Sequence, residues 1–134
     1  MLNKIDHLGI AVHSIEEKMA LYRDALGLEF LGTETVESQG VKVAFFQLGE
    51  SMLELLEPTN DTGPIARYLS KYGEGIHHVA IGCDDIEQAR NRAKENALRL
   101  LSDAPLDGAH GKLITFVHPK DTGGVLMEFT QRKH

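Results

Sequence analysis

Asp6-His7-Leu8-Gly9-Ile10-Ala11-Val12 and His77-His78-Val79-Ala80-Ile81-Gly82-Cys83 are two copies of one pattern, and that pattern decides the fold. His78 stands 71 positions after His7. At the same offset Ser14-Ile15-Glu16-Glu17 lies over Asp85-Ile86-Glu87-Gln88, and Val43-Ala44-Phe45 over Ile114-Thr115-Phe116. Similarity at a fixed offset along half a chain marks a repeated supersecondary unit.

Each copy opens with an extended apolar run that ends in a capping residue, Ser14 or Asp85, with Glu17 or Gln88 three positions on. That arrangement predicts a helix start, because the cap accepts from backbone N–H groups that the first turn leaves unbonded. Apolar residues then follow at helical spacing, Ile15, Met19, Tyr22 and Leu26 in the first copy and Ile86, Ala89, Ala93 and Ala97 in the second. Gly27 stops the first helix, and the second is predicted to end over 96–98. Strands are predicted over 29–35, 41–48 and 52–56, with 113–117 and 125–130 matching the last two. The hairpin loop differs between the copies. It is short around Gly49-Glu50-Ser51 and longer at His118-Pro119-Lys120-Asp121-Thr122-Gly123-Gly124, so that Glu54 falls on Glu128, 74 positions later.

Between the copies, Pro58-Thr59-Asn60-Asp61-Thr62-Gly63-Pro64 is rich in turn formers and leads into a short helical segment over 65–71. A half of roughly 65 residues would leave one face of a four-stranded sheet uncovered, so the two modules are expected to share one domain. Module 1 covers about 1–58, the connector 59–74 and module 2 about 75–134. The expected class is α+β: two tandem βαβββ modules forming one curved eight-stranded mixed sheet.

The bulk numbers suit this reading. The 134-residue chain is 42% hydrophobic and 25% charged, the composition of an ordinary globular domain. Its formal net charge of −6 argues against nucleic acid as a partner, though a metal and a few local lysines can still hold an anionic small molecule. Cys83 is the only cysteine, so no intramolecular disulfide forms, and its apolar setting predicts a buried side chain rather than a nucleophile. The first six residues lack the apolar core of a signal peptide, and no stretch approaches the roughly 20 apolar residues of a membrane span. The expectations are no membrane association and a cytoplasmic location. Sheet edges left open by two such modules also predict a homodimer.

The repeat brings out a recurrent motif, a His on the first strand and a Glu on the last strand of each module. Glu54 sits between Leu53 and Leu55, and Glu128 between Met127 and Phe129, so each carboxylate leaves the face its neighbours occupy. A lone His on an apolar strand is usually a hydrogen-bonded core residue and a lone Glu usually faces water. Four such residues at repeat-related positions change that balance. Duplication about a pseudo-twofold axis would gather His7, Glu54, His78 and Glu128 into one site. Two imidazoles and two carboxylates suit a divalent ion with positions left open for water or substrate oxygens, and Co, Mn, Ni and Zn all accept such ligands. His77 must face the side opposite His78. His13 and His134 belong to no pattern, and His110 lies in a loop beside Lys112.

Four segments carry a family resemblance over nearly the whole chain: Ile5 to Val12, Tyr72 to Ala80, Gly108-Ala109-His110-Gly111-Lys112, and His118-Pro119-Lys120 continuing through Gly123-Gly124-Val125-Leu126-Met127-Glu128-Phe129-Thr130. The sequence resembles the vicinal oxygen chelate superfamily and, within it, the methylmalonyl-CoA epimerases. The resemblance implies the vicinal oxygen chelate fold around a metal site. It also implies an acyl-CoA substrate, with Lys112 and Lys120 as contacts. The implied reaction interconverts the (R) and (S) forms of methylmalonyl-CoA by removal and return of the C2 proton, a metal stabilising the enolate. Some epimerases carry a glutamate base where this chain has Val43, which cannot move a proton. Glu128 is the favoured base, with His110, Lys42 or Glu37 as candidates for the other face. Glu54 also matches the ligand type of glyoxalase I, which is the alternative enzyme, and a metal-free small-molecule-binding protein of the same fold is the alternative outside catalysis.

Overall fold

The computed structural model describes residues 1–132, so His134 lies outside the described residues. Its elements are β1 (Leu2–Ala11), α1 (Ile15–Met19), β2 (Glu29–Val36), β3 (Val41–Leu48), β4 (Ser51–Pro58), α2 (Pro64–Tyr72), β5 (Gly75–Cys83), α3 (Ile86–Glu95), β6 (Leu106–Asp107), β7 (Leu113–Val117) and β8 (Met127–Gln131). These are the tandem βαβββ modules expected from the repeat. The strands form one eight-stranded sheet in the order β2-β3-β4-β1-β5-β8-β7-β6. β1 pairs parallel with β4 and β5 parallel with β8, whereas β2–β3, β3–β4, β6–β7 and β7–β8 are antiparallel, so the sheet is mixed. The backbone divides into two compact units, His7–His77 and Met1–Asp6 with the chain from His78 onward.

In the first unit Val12, Ile15, Ala44, Phe46 and Leu55 form the core under α1, with Ile10, Met19, Tyr22, Leu28 and Leu53 packed against it. Ser14 caps α1 as expected, its Oγ accepting from Glu17 N at 3.2 Å. The helix does not keep its 3.6-residue phase. Residues Ala20–Ala25 form a π-helical turn, with Leu26 N donating to Leu21 O at 2.8 Å. A π turn holds more residues per revolution than an α turn and so rotates every later side chain backward around the axis. Leu26, expected on the buried face, is therefore 56% exposed, while Met19 before the π turn and Tyr22 in its first half stay packed against the core. Gly27 ends the helix at φ +70°, a left-handed conformation that costs a residue without Cβ nothing.

In the second unit Cys83, Ile86, Ala93, Val117 and Phe129 form the matching core under α3. Asp85 caps this helix, its Oδ1 accepting from Glu87 N at 3.0 Å and Gln88 N at 3.3 Å. Arg90 is buried here and binds Thr115 Oγ1, Ser102 O and Asp103 O, pinning the segment before β6. The second strand of this module, the first after its helix, shrinks to the two residues Leu106–Asp107. The connector forms α2 over Pro64–Tyr72, with Pro64 in its first turn. Among the described residues no helix is long and apolar enough to cross a membrane.

Candidate metal centre

Strand register places the four histidine and glutamate residues by the same rule in each unit. β1 pairs with β4 so that Gly9 lies opposite Glu54, and β5 pairs with β8 so that Ala80 lies opposite Glu128. His7 and His78 each precede that partner by two residues, so each shares the face of its glutamate. Leu53, Leu55 and Phe129 fill the opposite, helix-bearing faces. The carboxylate is thus forced onto the face that has no helix because its neighbours complete a core. Each helix is moored to the strand that carries the glutamate: Glu57 Oε1 accepts from Ile15 N at 2.8 Å, and Gln131 Oε1 from Ile86 N at 2.7 Å.

All four side chains are buried, at 3 to 7% exposure. His7 Nδ1 stands 3.3 Å from Glu54 Oε2, and His78 Nε2 stands 3.4 Å from Glu128 Oε1. Charge-assisted N–H···O contacts normally close to about 2.7–2.9 Å, so these separations are long for ion-paired hydrogen bonds. They fit two donors that share a cation, since ligand distances of about 2.1 Å put neighbouring donors roughly 3.0 to 3.4 Å apart in octahedral to tetrahedral geometry. Each pair could therefore supply two donors to a divalent ion. The ring of His78 is further fixed by an edge-to-face contact with Phe116, centroids 5.7 Å apart and planes at 89°.

Around the pairs the face is mostly apolar, although Thr130 is buried two residues beyond Glu128. Phe45 lies opposite Glu54 and Phe116 opposite Glu128, while Val43, buried beside Phe45's strand position, presents a side chain with no proton to move. Lys42, offset from Val43 by one residue, belongs to the helix-side face of β3, and Glu37 is exposed in the 3-10 turn Glu37–Gln39. Neither is on the face of Glu54 in the way a proton carrier there would need to be.

The Gly108–Lys112 segment is a closed turn rather than a loose loop. Gly108 N donates to Lys112 O at 2.9 Å, Lys112 N to Ala109 O at 3.2 Å, and His110 takes φ 57°, ψ 30°. A Cβ at Gly108 would sit 2.8 Å from Ile114 Cγ2, so the turn rests on the Glu128-bearing face of β7. His110 is exposed at its tip, and Lys120 is exposed in the turn Pro119–Asp121. Lys112, expected as a substrate contact, is held by a carboxylate in the fold. It is 4% exposed and its Nζ donates to Asp6 Oδ2 at 2.7 Å. Asp6, itself 3% exposed, was not singled out by the sequence, although an Asp beside the first ligand in an apolar strand was a usable signal.

Burial and neighbouring charge shift several titratable side chains outside these pairs. His77 packs edge-on against Tyr68, centroids 5.1 Å apart, and burial pushes its imidazole down to about 4, so it is neutral at pH 7. Burial pushes the Cys83 thiol up, in keeping with an inert cysteine. The hairpin loop before β8 is clamped by Arg99, whose guanidinium binds both oxygens of Asp121 at 3.0 Å and holds that carboxyl down at about 2.

A family model described as the Glyoxalase/Bleomycin resistance protein/Dioxygenase superfamily matches residues 6–116. An ethylmalonyl-CoA/methylmalonyl-CoA epimerase of Cereibacter sphaeroides is 41% identical, the match covering 98% of this chain and 99% of the relative. A mitochondrial methylmalonyl-CoA epimerase of Mus musculus is 40% identical over 97% of this chain and 74% of its own length. Among solved structures, a variant of the Streptomyces coelicolor methylmalonyl-CoA epimerase in complex with 2-nitronate-propionyl-CoA superposes with a TM-score of 0.96 at 38% identity, covering 100% of both chains.

Proposed function

The chain belongs to the Glyoxalase/Bleomycin resistance protein/Dioxygenase superfamily, and from that premise we propose that it is a metal-dependent methylmalonyl-CoA epimerase acting through His7, Glu54, His78 and Glu128. The observation that carries the reading is the buried His–Glu pair repeated at one strand register in each unit, 3.3 and 3.4 Å between donors. We propose that His7, Glu54, His78 and Glu128 are the ligands of one divalent ion, Co, Mn, Ni or Zn.

When bound, the ion supplies Lewis-acid stabilisation of the charge that develops on the thioester oxygen. The chain supplies proton transfer and exclusion of water. Glu128 accepts the C2 proton from one side; the C2–H bond breaks, its electron pair passes to the thioester, and C2 becomes planar. Return of a proton to the opposite side inverts the centre, and His110 at the tip of the closed turn is the group we assign there. Phe45, Val43, Ile114 and Phe116 keep the glutamate faces apolar, which strengthens each electrostatic contact within them. Lys120 is the exposed cation assigned to the acyl-CoA. The sheet edges β2 and β6 favour a homodimer, and sedimentation showing only the 14.8 kDa monomer at micromolar concentration would reject it; a cytoplasmic location is part of the same proposal.

The deciding assay follows incorporation of deuterium at C2 of methylmalonyl-CoA by the metal-reconstituted protein, beside turnover of methylglyoxal with glutathione. Exchange at C2 is expected. Activity in the second arm alone would replace the epimerase with the glyoxalase I reading.

A further inference from the structure

We propose that the Asp6–Lys112 ion pair is a positioning pair for the metal ligand His7, an inference that rests on the metal-centre reading above. Both partners are nearly inaccessible, with side-chain exposures of 6% for Lys112 and 4% for Asp6 and a separation of 2.7 Å across 106 positions of sequence. Such a pair is poor value as a source of stability: desolvating two charges offsets most of their attraction, and apolar replacements of similar volume are often neutral or stabilising. Its worth lies in direction. An ammonium and a carboxylate in a dry site tolerate little displacement, so they fix the backbone that carries them.

The backbone in question is specific at both ends. Asp6 is the residue before His7 on β1, so fixing its carboxylate fixes the strand at the point where the ligand leaves it. Lys112 closes the Gly108–Lys112 turn through its own N–H and C=O and then extends its side chain to Asp6. One residue thereby ties the turn that holds His110 in its left-handed conformation to the strand that delivers His7. Without the ion pair this buried side-chain link between the turn and the strand is lost.

The test measures Co²⁺ affinity by calorimetry and the thermal midpoint of the metal-stripped protein for the wild type, Lys112→Met, Asp6→Asn and the double variant Asp6→Leu/Lys112→Met. The single variants should bind Co²⁺ about 10- to 100-fold more weakly, the usual effect of losing a group that orients a ligand. Removing both charges should restore the thermal midpoint without restoring Co²⁺ affinity, which separates positioning from a merely structural role. The inference is overturned if the single variants bind Co²⁺ like the wild type, or if the double variant recovers affinity together with stability. A wild-type protein that takes up no Co²⁺ fails at the metal-centre reading, and the inference falls with it.

Discussion

His7 reaches Glu54 because the glutamate's Cα lies opposite Gly9, two residues beyond the histidine, in the parallel pairing of β1 with β4. Both side chains are buried, with 3.3 Å between Nδ1 and Oε2. His78 and Glu128 repeat the relationship through Ala80. A buried carboxylate beside an imidazole at this spacing is a strong site for a cation and a costly one without it.

His7→Ala and His78→Ala should therefore lose the metal and all turnover while remaining folded, because each removes a ligand but little of either core cluster. Elemental analysis of the purified variants checks this. Full metal content in either one would reject its ligand assignment.

Glu128→Gln keeps the size and one oxygen donor of the ligand but cannot accept a proton. If Glu128 is the base, metal should largely stay bound while C2 exchange falls by about 10²- to 10⁴-fold, the usual worth of a general base. Glu54→Gln is the control and should retain most activity. Equal losses in the two variants would remove the distinction between ligand and base.

Ala97 ends α3 in the left-handed conformation, φ 62°, that Gly27 takes at the end of α1, φ 70°. An alanine there carries the cost of crowding Cβ against its own carbonyl, about 1 kcal/mol, which glycine avoids. Ala97→Gly should raise stability by roughly 0.5–1 kcal/mol, part of the gain being offset by the freer unfolded chain. Denaturant unfolding at constant slope would reveal it, and a destabilised variant would refute the argument.

Asp121 supplies a pH dependence of known sign. Its pKa is about 2 in the folded chain, held down first by the side-chain hydrogen bond from Arg99, against 3.8 for the free group. The unfolded chain therefore binds this proton first as pH falls, so the stabilisation is complete above pH 3.8 and is lost between there and pH 2. Arg99→Ala should return the carboxyl toward its ordinary value and flatten that part of the stability profile. Carbon-detected NMR titration of Asp121 in both proteins reads the shift directly.

The sequence by itself determined the modules and their elements. The repeat, the caps Ser14 and Asp85 and the alternation of β3 and β7 are local or periodic signals, and the strands over 41–48 and 113–117 match in both ends. It also singled out His7, Glu54, His78 and Glu128 as candidate ligands, because duplication wrote the same pair twice. Tertiary structure alone decided what long-range contacts control. The π turn that exposes Leu26 depends on how α1 closes over Phe46, with Tyr22 packed 5.7 Å from that ring. The burial of Lys112 depends on a carboxylate 106 positions away. A lysine beside a glycine turn reads as a solvated side chain until another strand supplies Asp6, since no periodicity encodes which distant charge a folded chain brings within 2.7 Å.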